Sequence, residues 1–180
     1  MATIFSHPAI ALAGAVLLGS QRVSTRLLLA AVICTILPDA DVIAFKLGIA
    51  YAHELGHRGA THSLLFALVC GALAAVFARR LHAQGWVAFS LCTLAAASHA
   101  LLDACTTGGL GVALFWPWQE QRYFLPWQFI QVSPIGSRFF SERGLAVLGN
   151  ELLTIWLPVG IFCLICWGTR RYLKPQTLPA

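Results

Sequence analysis

Long apolar runs and short polar interruptions alternate along most of this chain. A helix needs about 20 mainly apolar residues to cross the hydrocarbon core of a bilayer, because each residue adds only about 1.5 Å. Several runs approach that length, and each ends at a charged, proline-containing or glycine-containing break. The pattern therefore predicts five membrane-spanning helices, within residues 3–19, 23–37, 62–78, 86–104 and 144–167.

Two stretches between the apolar runs have a different character. Residues 42–52 are moderately apolar and favour a short helix at the membrane interface. Residues 105–143 are rich in aromatic residues and proline, and tryptophan and tyrosine are typical of the membrane–water interface. We expect one domain over residues 1–180. Its fold class is all-α: a multi-pass transmembrane helix bundle of about five spans with an aromatic, proline-rich interfacial loop.

The composition strengthens this reading. The chain is 58% hydrophobic and only 11% charged, with a mean hydropathy of +0.75, whereas about 25% of the residues in a soluble domain are charged. Its formal net charge is +5, but the basic residues are scattered at the ends of apolar runs and form no basic stripe. We therefore expect the lipid bilayer as a partner and no nucleic acid.

Basic residues cluster at three breaks in the apolar pattern. Loops that stay in the cytoplasm carry an excess of lysine and arginine. Five spans place all three clusters in the cytoplasm, which puts the N-terminus outside and the C-terminus inside. The clusters are Arg22 with Arg26, Arg79 with Arg80, and Arg170 and Arg171 with Lys174.

Acidic and histidine side chains fall at the opposite ends of the same segments. Ionisable residues are rare in membrane segments and mark functional sites. Imidazole nitrogens and carboxylate oxygens bind zinc, manganese and magnesium, and this set is large enough for one or two divalent ions. The candidate ligands are His7, Asp39, Asp41, His57, His62, His99 and Asp103, and Glu151 lies in the same outer half.

Each candidate also has a simpler explanation when it is considered alone. His99 and Asp103 are four residues apart and share one helix face, which suits either a chelating pair or the polar lining of a bundle. Asp39 and Asp41 follow a proline and could form a solvated turn. The remaining histidines could be interfacial. Arg58 would clamp a phosphate or carboxylate beside a metal, or extend to the interface as membrane arginines do.

A zinc-protease motif also occurs in the sequence. Residues 53–57 read H-E-x-x-H, with Glu54 between His53 and His57. The protease chemistry requires both histidines on one face of a helix. Gly56 and Gly59 weaken any helix here, which argues against the motif, and a membrane zinc protease remains an alternative.

Several motifs occur together with a specific joint spacing: Leu37-Pro-Asp-Ala-Asp41, Gly56-His-Arg-Gly-Ala-Thr-His-Ser63, Ser98-His-Ala-Leu-Leu-Asp103, Thr106-Thr-Gly-Gly109, Trp116-Pro-Trp118 and Glu151-Leu-Leu. With these motifs, from His7 to Pro158, the chain resembles the bacterial inner-membrane, metal-dependent hydrolase family typified by YbcI and YdjM. The resemblance is closest to the YbcI branch.

The resemblance implies a multi-pass protein of the bacterial inner membrane whose metal site faces the periplasm. The family pattern falls on His7, Asp39, Asp41, His57, Arg58, His62, His99, Asp103 and Glu151. A looser similarity, to the zinc-dependent phospholipase C and single-strand nuclease group, suggests a phosphomonoester or phosphodiester substrate.

We therefore expect a metal-dependent hydrolase that uses zinc, or else manganese or magnesium, to activate water against a lipid or lipid-linked phosphoester. Arg58 would hold an anionic group of the substrate, and Glu151 or Asp41 would act as general base. Three alternatives remain open: a membrane zinc protease, a metal transporter, and a non-catalytic membrane protein that an ion stabilises.

Overall fold

The computed structural model describes residues 1–134 and 136–172, and in these residues helices joined by turns and irregular segments form the fold. Lys174 of the third basic cluster lies outside the described residues. No strand occurs in the described ranges, where pairing is limited to two isolated bridges, Thr106 with Ile130 and Val112 with Tyr123. The helices are α1 (Pro8–Leu18), α2 (Thr25–Ile36), α3 (Ile43–Lys46), α4 (Leu64–Val76), α5 (Gly85–Ala104), α6 (Glu142–Glu151) and α7 (Leu157–Tyr172).

Three continuous helical stretches are long and apolar enough to cross a membrane. They cover Thr25–Lys46, Gly85–Ala104 and Glu142–Tyr172, with 22, 20 and 31 residues. The apolar helices α1 and α4 have 11 and 13 residues, so each is shorter than the roughly 20 residues that a span requires. The all-helical membrane class is confirmed, and the count of five spans stays a prediction.

The second apolar segment does not stop at Pro38 as its sequence predicts. The chain continues from α2 as a 3-10 helix over Leu37–Val42 and then as α3. Proline is tolerated there because it lies in the first turn of the 3-10 helix, where its missing N–H is not needed. Asp39 and Asp41 are consequently buried, with exposed fractions of 7% and 8%, so the alternative of a solvated turn is wrong.

Helices α4 and α5 form the closest helical pair, and small residues line their contact. Ala67, Cys70 and Gly71 of α4 are buried opposite Ala95 and Ala96 of α5. Small side chains let helix backbones approach closely in membrane proteins. This approach holds the start of α4 beside the end of α5, the two places where His62 and His99 occur.

The last long helix contains a local widening. Its residues Leu152–Trp156 form a π-turn between α6 and α7, and Pro158 follows within the first turn of α7. A proline inside a helix removes one hydrogen bond and crowds the preceding turn, so a wider turn relieves the conflict. Glu151 lies immediately before the π-turn and is buried.

We expect Gly71→Ala to destabilise the protein. A Cβ at Gly71 would lie 2.7 Å from the Phe89 carbonyl oxygen and closer still to the Thr93 hydroxyl. Overpacking of this kind costs roughly 1–3 kcal/mol of unfolding free energy. Thermal unfolding in detergent measures the change. Gly160→Ala in α7 is the matched control, since no atom lies within 4 Å of its Cβ position, and equal melting temperatures of the two variants would contradict the packing argument.

Candidate metal centre

Four helix ends deliver buried histidine and aspartate side chains to one place. His7 directly precedes α1, and Asp39 lies in the 3-10 helix after α2. His62 ends a 3-10 turn just before α4, and His99 and Asp103 lie in the last turns of α5. All five have exposed fractions below a tenth. We call these five residues the metal cup.

Four members of the cup converge on a space the size of one ion. Asp39, His62, His99 and Asp103 each offer a ligand atom, and these atoms lie within 4.8 Å of one another. Nε2 of His99 lies 3.5 Å from an Asp39 oxygen. Nε2 of His62 lies 3.8 Å from Asp39 and 3.7 Å from Asp103. These separations are too long for hydrogen bonds but suit ligands that share a cation.

Hydrogen bonds fix which nitrogen of each histidine faces the cup. Nδ1 of His99 lies 2.6 Å from the Thr35 carbonyl oxygen, which can only accept, so Nδ1 carries the proton. Nδ1 of His62 lies 3.2 Å from Asp41 in the same way. In the neutral rings both Nε2 atoms are then acceptors, yet they lie only 3.0 Å apart. Two lone pairs this close to each other suit a cation bound between them.

His7 completes the cup from the N-terminal side. Its Nε2 lies 3.8 Å from both Asp39 and Asp103, and its ring stacks on His99 with 3.7 Å between centroids. Both nitrogens of His7 and both carboxylate oxygens of Asp39 are buried without a hydrogen-bond partner. Because unpartnered buried polar atoms cost several kcal/mol, roughly 2–7, these atoms fit a metal ion that they would ligate.

The donor set is rich in nitrogen, which suits some divalent ions better than others. Three imidazoles and two carboxylates are typical zinc ligands, whereas magnesium prefers an all-oxygen shell. Two nitrogens bound to one zinc stand roughly 2.8–3.3 Å apart in sites with four or five ligands, given a bond of about 2.0 Å. The observed 3.0 Å between the His62 and His99 nitrogens lies within that range.

Asp41 and His57 form a second group that meets the first at His62. Asp41, His57 and His62 also satisfy the spacing of a possible ion site. However, the oxygens of Asp41 already lie 2.6 Å from Nδ1 of His57 and accept from the Thr61 hydroxyl at 2.7 Å. The contacts resemble the aspartate–histidine pairs that orient metal-bound imidazoles. The neighbouring Ser63 has a different role. Its hydroxyl accepts a hydrogen bond from the backbone N–H of Phe66 and so caps the start of α4.

Arg58 lies inside the protein and not at its surface. Its side chain is fully buried, and Nε lies 3.0 Å from a carboxylate oxygen of Asp103. The two terminal nitrogens donate to the Gly108 carbonyl and the Thr106 hydroxyl, each at 2.9 Å. Complete burial excludes the alternative of an arginine that extends to the interface. The contacts favour a role in holding Asp103 and the 106–109 loop.

The backbone around Arg58 is adapted to this burial. Arg58 has a φ of +64°, and Gly109, with a φ of +97°, lies against its guanidinium. A Cβ at Gly109 would lie 2.7 Å from a terminal nitrogen of Arg58. Glycine is therefore required at this position both by its conformation and by the close approach.

Glu151 binds the N-terminal segment and does not contact the cup. Its carboxylate accepts from Thr3 N at 2.5 Å, from the Thr3 hydroxyl, and from the Ser6 hydroxyl at 2.6 Å. Ala2 N donates to Asp103 at 2.7 Å. These bonds fix the turn that presents His7. Thr3, Ser6 and the Thr35 carbonyl could not be found from the sequence, because hydroxyl and backbone partners carry no recognisable motif.

The H-E-x-x-H stretch is not helical. Residues 51–59 form a series of turns, in which His53 and Glu54 are exposed while His57 is buried. Arg122 supports these turns by donating to the carbonyl oxygens of His57, Tyr51 and His53. Burial in the loop lowers the pKa of the Arg122 guanidinium and raises the pKa of the Tyr51 phenol. The two histidines of the motif therefore do not lie on one face of a helix, although a zinc protease would require this arrangement.

The comparisons with known proteins agree with this membrane fold. The family model described as YdjM inner membrane protein matches residues 1–174. The chain belongs to the YdjM inner membrane protein family. It is 43% identical over 173 residues to Inner membrane protein YbcI of Escherichia coli (strain K12), which covers 95% of this chain and 100% of that protein. No solved structure matches the chain. Membership of this family supports a location in the inner membrane.

Substituting Glu151→Gln should weaken metal binding although Glu151 is not a ligand. The amide cannot accept all three hydrogen bonds from Thr3 and Ser6, so the turn that carries His7 loses its anchor. Loss of a residue that orients a ligand typically costs 10–100-fold in metal affinity. A competition titration of zinc against a chelator measures the loss. Glu142→Gln, at the exposed start of α6, is the matched control. Equal zinc affinities of the two variants would show that Glu151 does not help to position His7.

Proposed function

We propose that this protein is a membrane-bound, metal-dependent hydrolase that cleaves phosphoester bonds. The observation that supports the proposal most strongly is the metal cup itself. Two imidazole acceptors face each other at 3.0 Å beside the unpartnered oxygens of Asp39 and the unpartnered nitrogens of His7. A structural helix bundle has no need for such a group, and burying it without a cation would be costly.

His7, Asp39, His62, His99 and Asp103 would hold one divalent ion, with zinc as the first candidate and manganese or magnesium as the others. When bound, the ion supplies Lewis acidity and a water nucleophile near neutral pH. A second ion would require Asp41 and His57 to give up the short hydrogen bond between them. The contacts therefore favour one ion, with Asp41 and His57 orienting the His62 ring.

The remaining polar residues support the cup in different ways. Arg58 holds the Asp103 carboxylate in place. The expected role of Arg58 as a direct clamp on substrate finds no support in its complete burial. Asp41 and Glu151 were expected as general bases, but both carboxylates are occupied by neighbouring donors. We assign both to positioning and assign proton acceptance to the Asp39 oxygen that would not ligate the ion, since neither oxygen of Asp39 has such a donor.

We infer that the cup faces the periplasm and that the C-terminus lies in the cytoplasm. Three contacts bring the basic clusters to one end of the bundle. Arg26 donates to the Arg80 carbonyl at 3.2 Å, Ser24 bonds to the Leu81 carbonyl, and Arg170 donates to the Val16 carbonyl at 2.7 Å. The positive-inside rule assigns this end to the cytoplasm. The cup lies at the other ends of the same helices.

The rival functions make different demands on the structure. A zinc protease needs His53 and His57 on one helix, and these residues lie in turns. A metal transporter needs ligands along a path through the membrane, whereas the cup occupies helix ends. A non-catalytic protein with a structural ion needs the same cup but no hydrolysis. Catalysis is therefore the point that an experiment must decide.

The decisive variants are His99→Ala and Asp103→Ala. Each removes one donor from the cup, so we expect zinc affinity to fall by more than ~100-fold, beyond the effect of a positioning residue. Elemental analysis of purified protein measures the metal content. The same samples are assayed with a panel of phosphomonoesters and phosphodiesters that includes phospholipids, and both variants should lose the activity of the wild type.

Glu54→Gln is the control for this experiment, because Glu54 is exposed and its carboxylate accepts a hydrogen bond from Trp116, outside the metal cup. It should keep both metal and hydrolysis, whereas a zinc protease would lose its activity. Unchanged metal content in His99→Ala and Asp103→Ala would refute the ligand assignment. If the two variants lost the metal but the wild type hydrolysed no ester, the ion would have a structural role and the hydrolase proposal would be wrong.

A further inference from the structure

An apolar cavity adjoins the metal cup at Asp39. It has a volume of about 370 Å³, within the usual range for small-molecule sites. Its apolar walls include Ile4, Phe5, Val42, Pro134, Phe139 and Phe140, and Asp39 is the lining residue with a charged side chain. Asp39 is also the most exposed member of the cup, at 7% against 0–1% for the others. The cavity is therefore the side from which a molecule can reach the cup.

The walls of this cavity are open to the surroundings. Phe140 is 87% exposed, Phe5 is 59% exposed and Ile4 is 46% exposed, so these side chains are free to contact an apolar ligand. The rings of Phe5 and Phe139 are tilted by 38° to each other across the wall, with 6.1 Å between their centroids. Phe5 is two residues from His7, so the same N-terminal segment forms the cavity wall and delivers a cup residue.

The surface next to the cavity is basic. A depression lined by Arg138, Ser141 and Arg143 shares Pro134 with the apolar cavity. Two guanidinium groups at the rim attract a negatively charged molecule. An apolar cavity, a cation site at its end and a basic rim together match an amphiphile with an anionic head and a hydrocarbon chain.

We propose that this cavity binds the acyl chain of a membrane phospholipid whose phosphate group lies at Asp39. The inference rests on the proposed function, because it takes the cup to be the place where the phosphoester reacts. It goes further by assigning chain recognition to Phe5 and Phe139. Substrate choice then depends on the hydrocarbon chain as well as on the phosphate.

The test uses full-length protein in nanodiscs, loaded with Mn²⁺, and two phosphonates that cannot be hydrolysed. The enhancement of phosphorus relaxation by the bound Mn²⁺ gives the affinity of ethylphosphonate and of hexylphosphonate. Each methylene group that leaves water adds roughly fourfold to affinity, so hexylphosphonate should bind the wild type at least ~10-fold more tightly. We expect the same loss in two variants, the single variant Phe139→Ala and the double variant Phe5→Ala/Phe139→Ala. Each should bind hexylphosphonate about tenfold less tightly than the wild type, while its affinity for ethylphosphonate should change less than twofold.

Phe162→Ala is the matched control, because Phe162 is a part-exposed phenylalanine of α7 that does not line the cavity. The Mn²⁺ content of every variant shows whether the cup has folded. In a further arm, phosphatidic acid added to the nanodisc should compete with hexylphosphonate in the wild type. Absence of competition would mean that the occupant is a free amphiphile and would overturn the assignment to a membrane lipid.

The outcomes separate this inference from the proposed function. Mn²⁺ and ethylphosphonate binding without a chain-length effect would overturn the cavity assignment alone. Chain-dependent binding without hydrolysis of any phospholipid would support the cavity as a lipid site and overturn the hydrolase. Failure to bind either Mn²⁺ or phosphonate would overturn both.

Discussion

The candidate metal centre depends on one electrostatic constraint, the close approach of two imidazole nitrogens that are buried in the bundle. His62 and His99 cannot turn their Nε2 atoms away, because their Nδ1 atoms are engaged by Asp41 and by the Thr35 carbonyl. The close packing of α4 and α5, through Gly71 and neighbouring alanines, holds the two ring positions together. A cation bound between the rings would relieve the conflict, and its binding would then stabilise the folded bundle.

A second layer of contacts connects the cup to the rest of the chain. Arg58 joins Asp103 to the 106–109 loop, and Glu151 joins α6 to the segment that carries His7. Each of these residues is charged and nearly fully buried, which is expensive unless partners satisfy it. Their partners come from distant parts of the sequence. The cup is thus assembled only when the N-terminal segment, the loops and the last long helix are all in place.

The sequence predicted the residues of the site better than it predicted their roles. Periodicity and the distribution of charge placed the candidate ligands at one end of the bundle, and the burial of His7, Asp39, His62, His99 and Asp103 at one place agrees with this. The helical path through Pro38 was missed because the sequence alone does not distinguish a proline in the first turn of a helix from a proline that ends a helix. The positioning roles of Arg58 and Glu151 were also not visible, since hydroxyl and carbonyl partners follow no spacing rule.

Formal charge gives an independent reason to expect a divalent ion. Asp39, Asp41 and Asp103 bring three carboxylates against the histidines of the cup and the neighbouring His57, and Arg58 contributes one positive charge beside them. The Met1 ammonium beside Asp103 adds a second positive charge, and the buried Glu151 carboxylate adds a fourth negative charge. With neutral histidines the group keeps an excess of two negative charges. An isolated buried charge costs several kcal/mol, and a divalent ion would bring the group to neutrality.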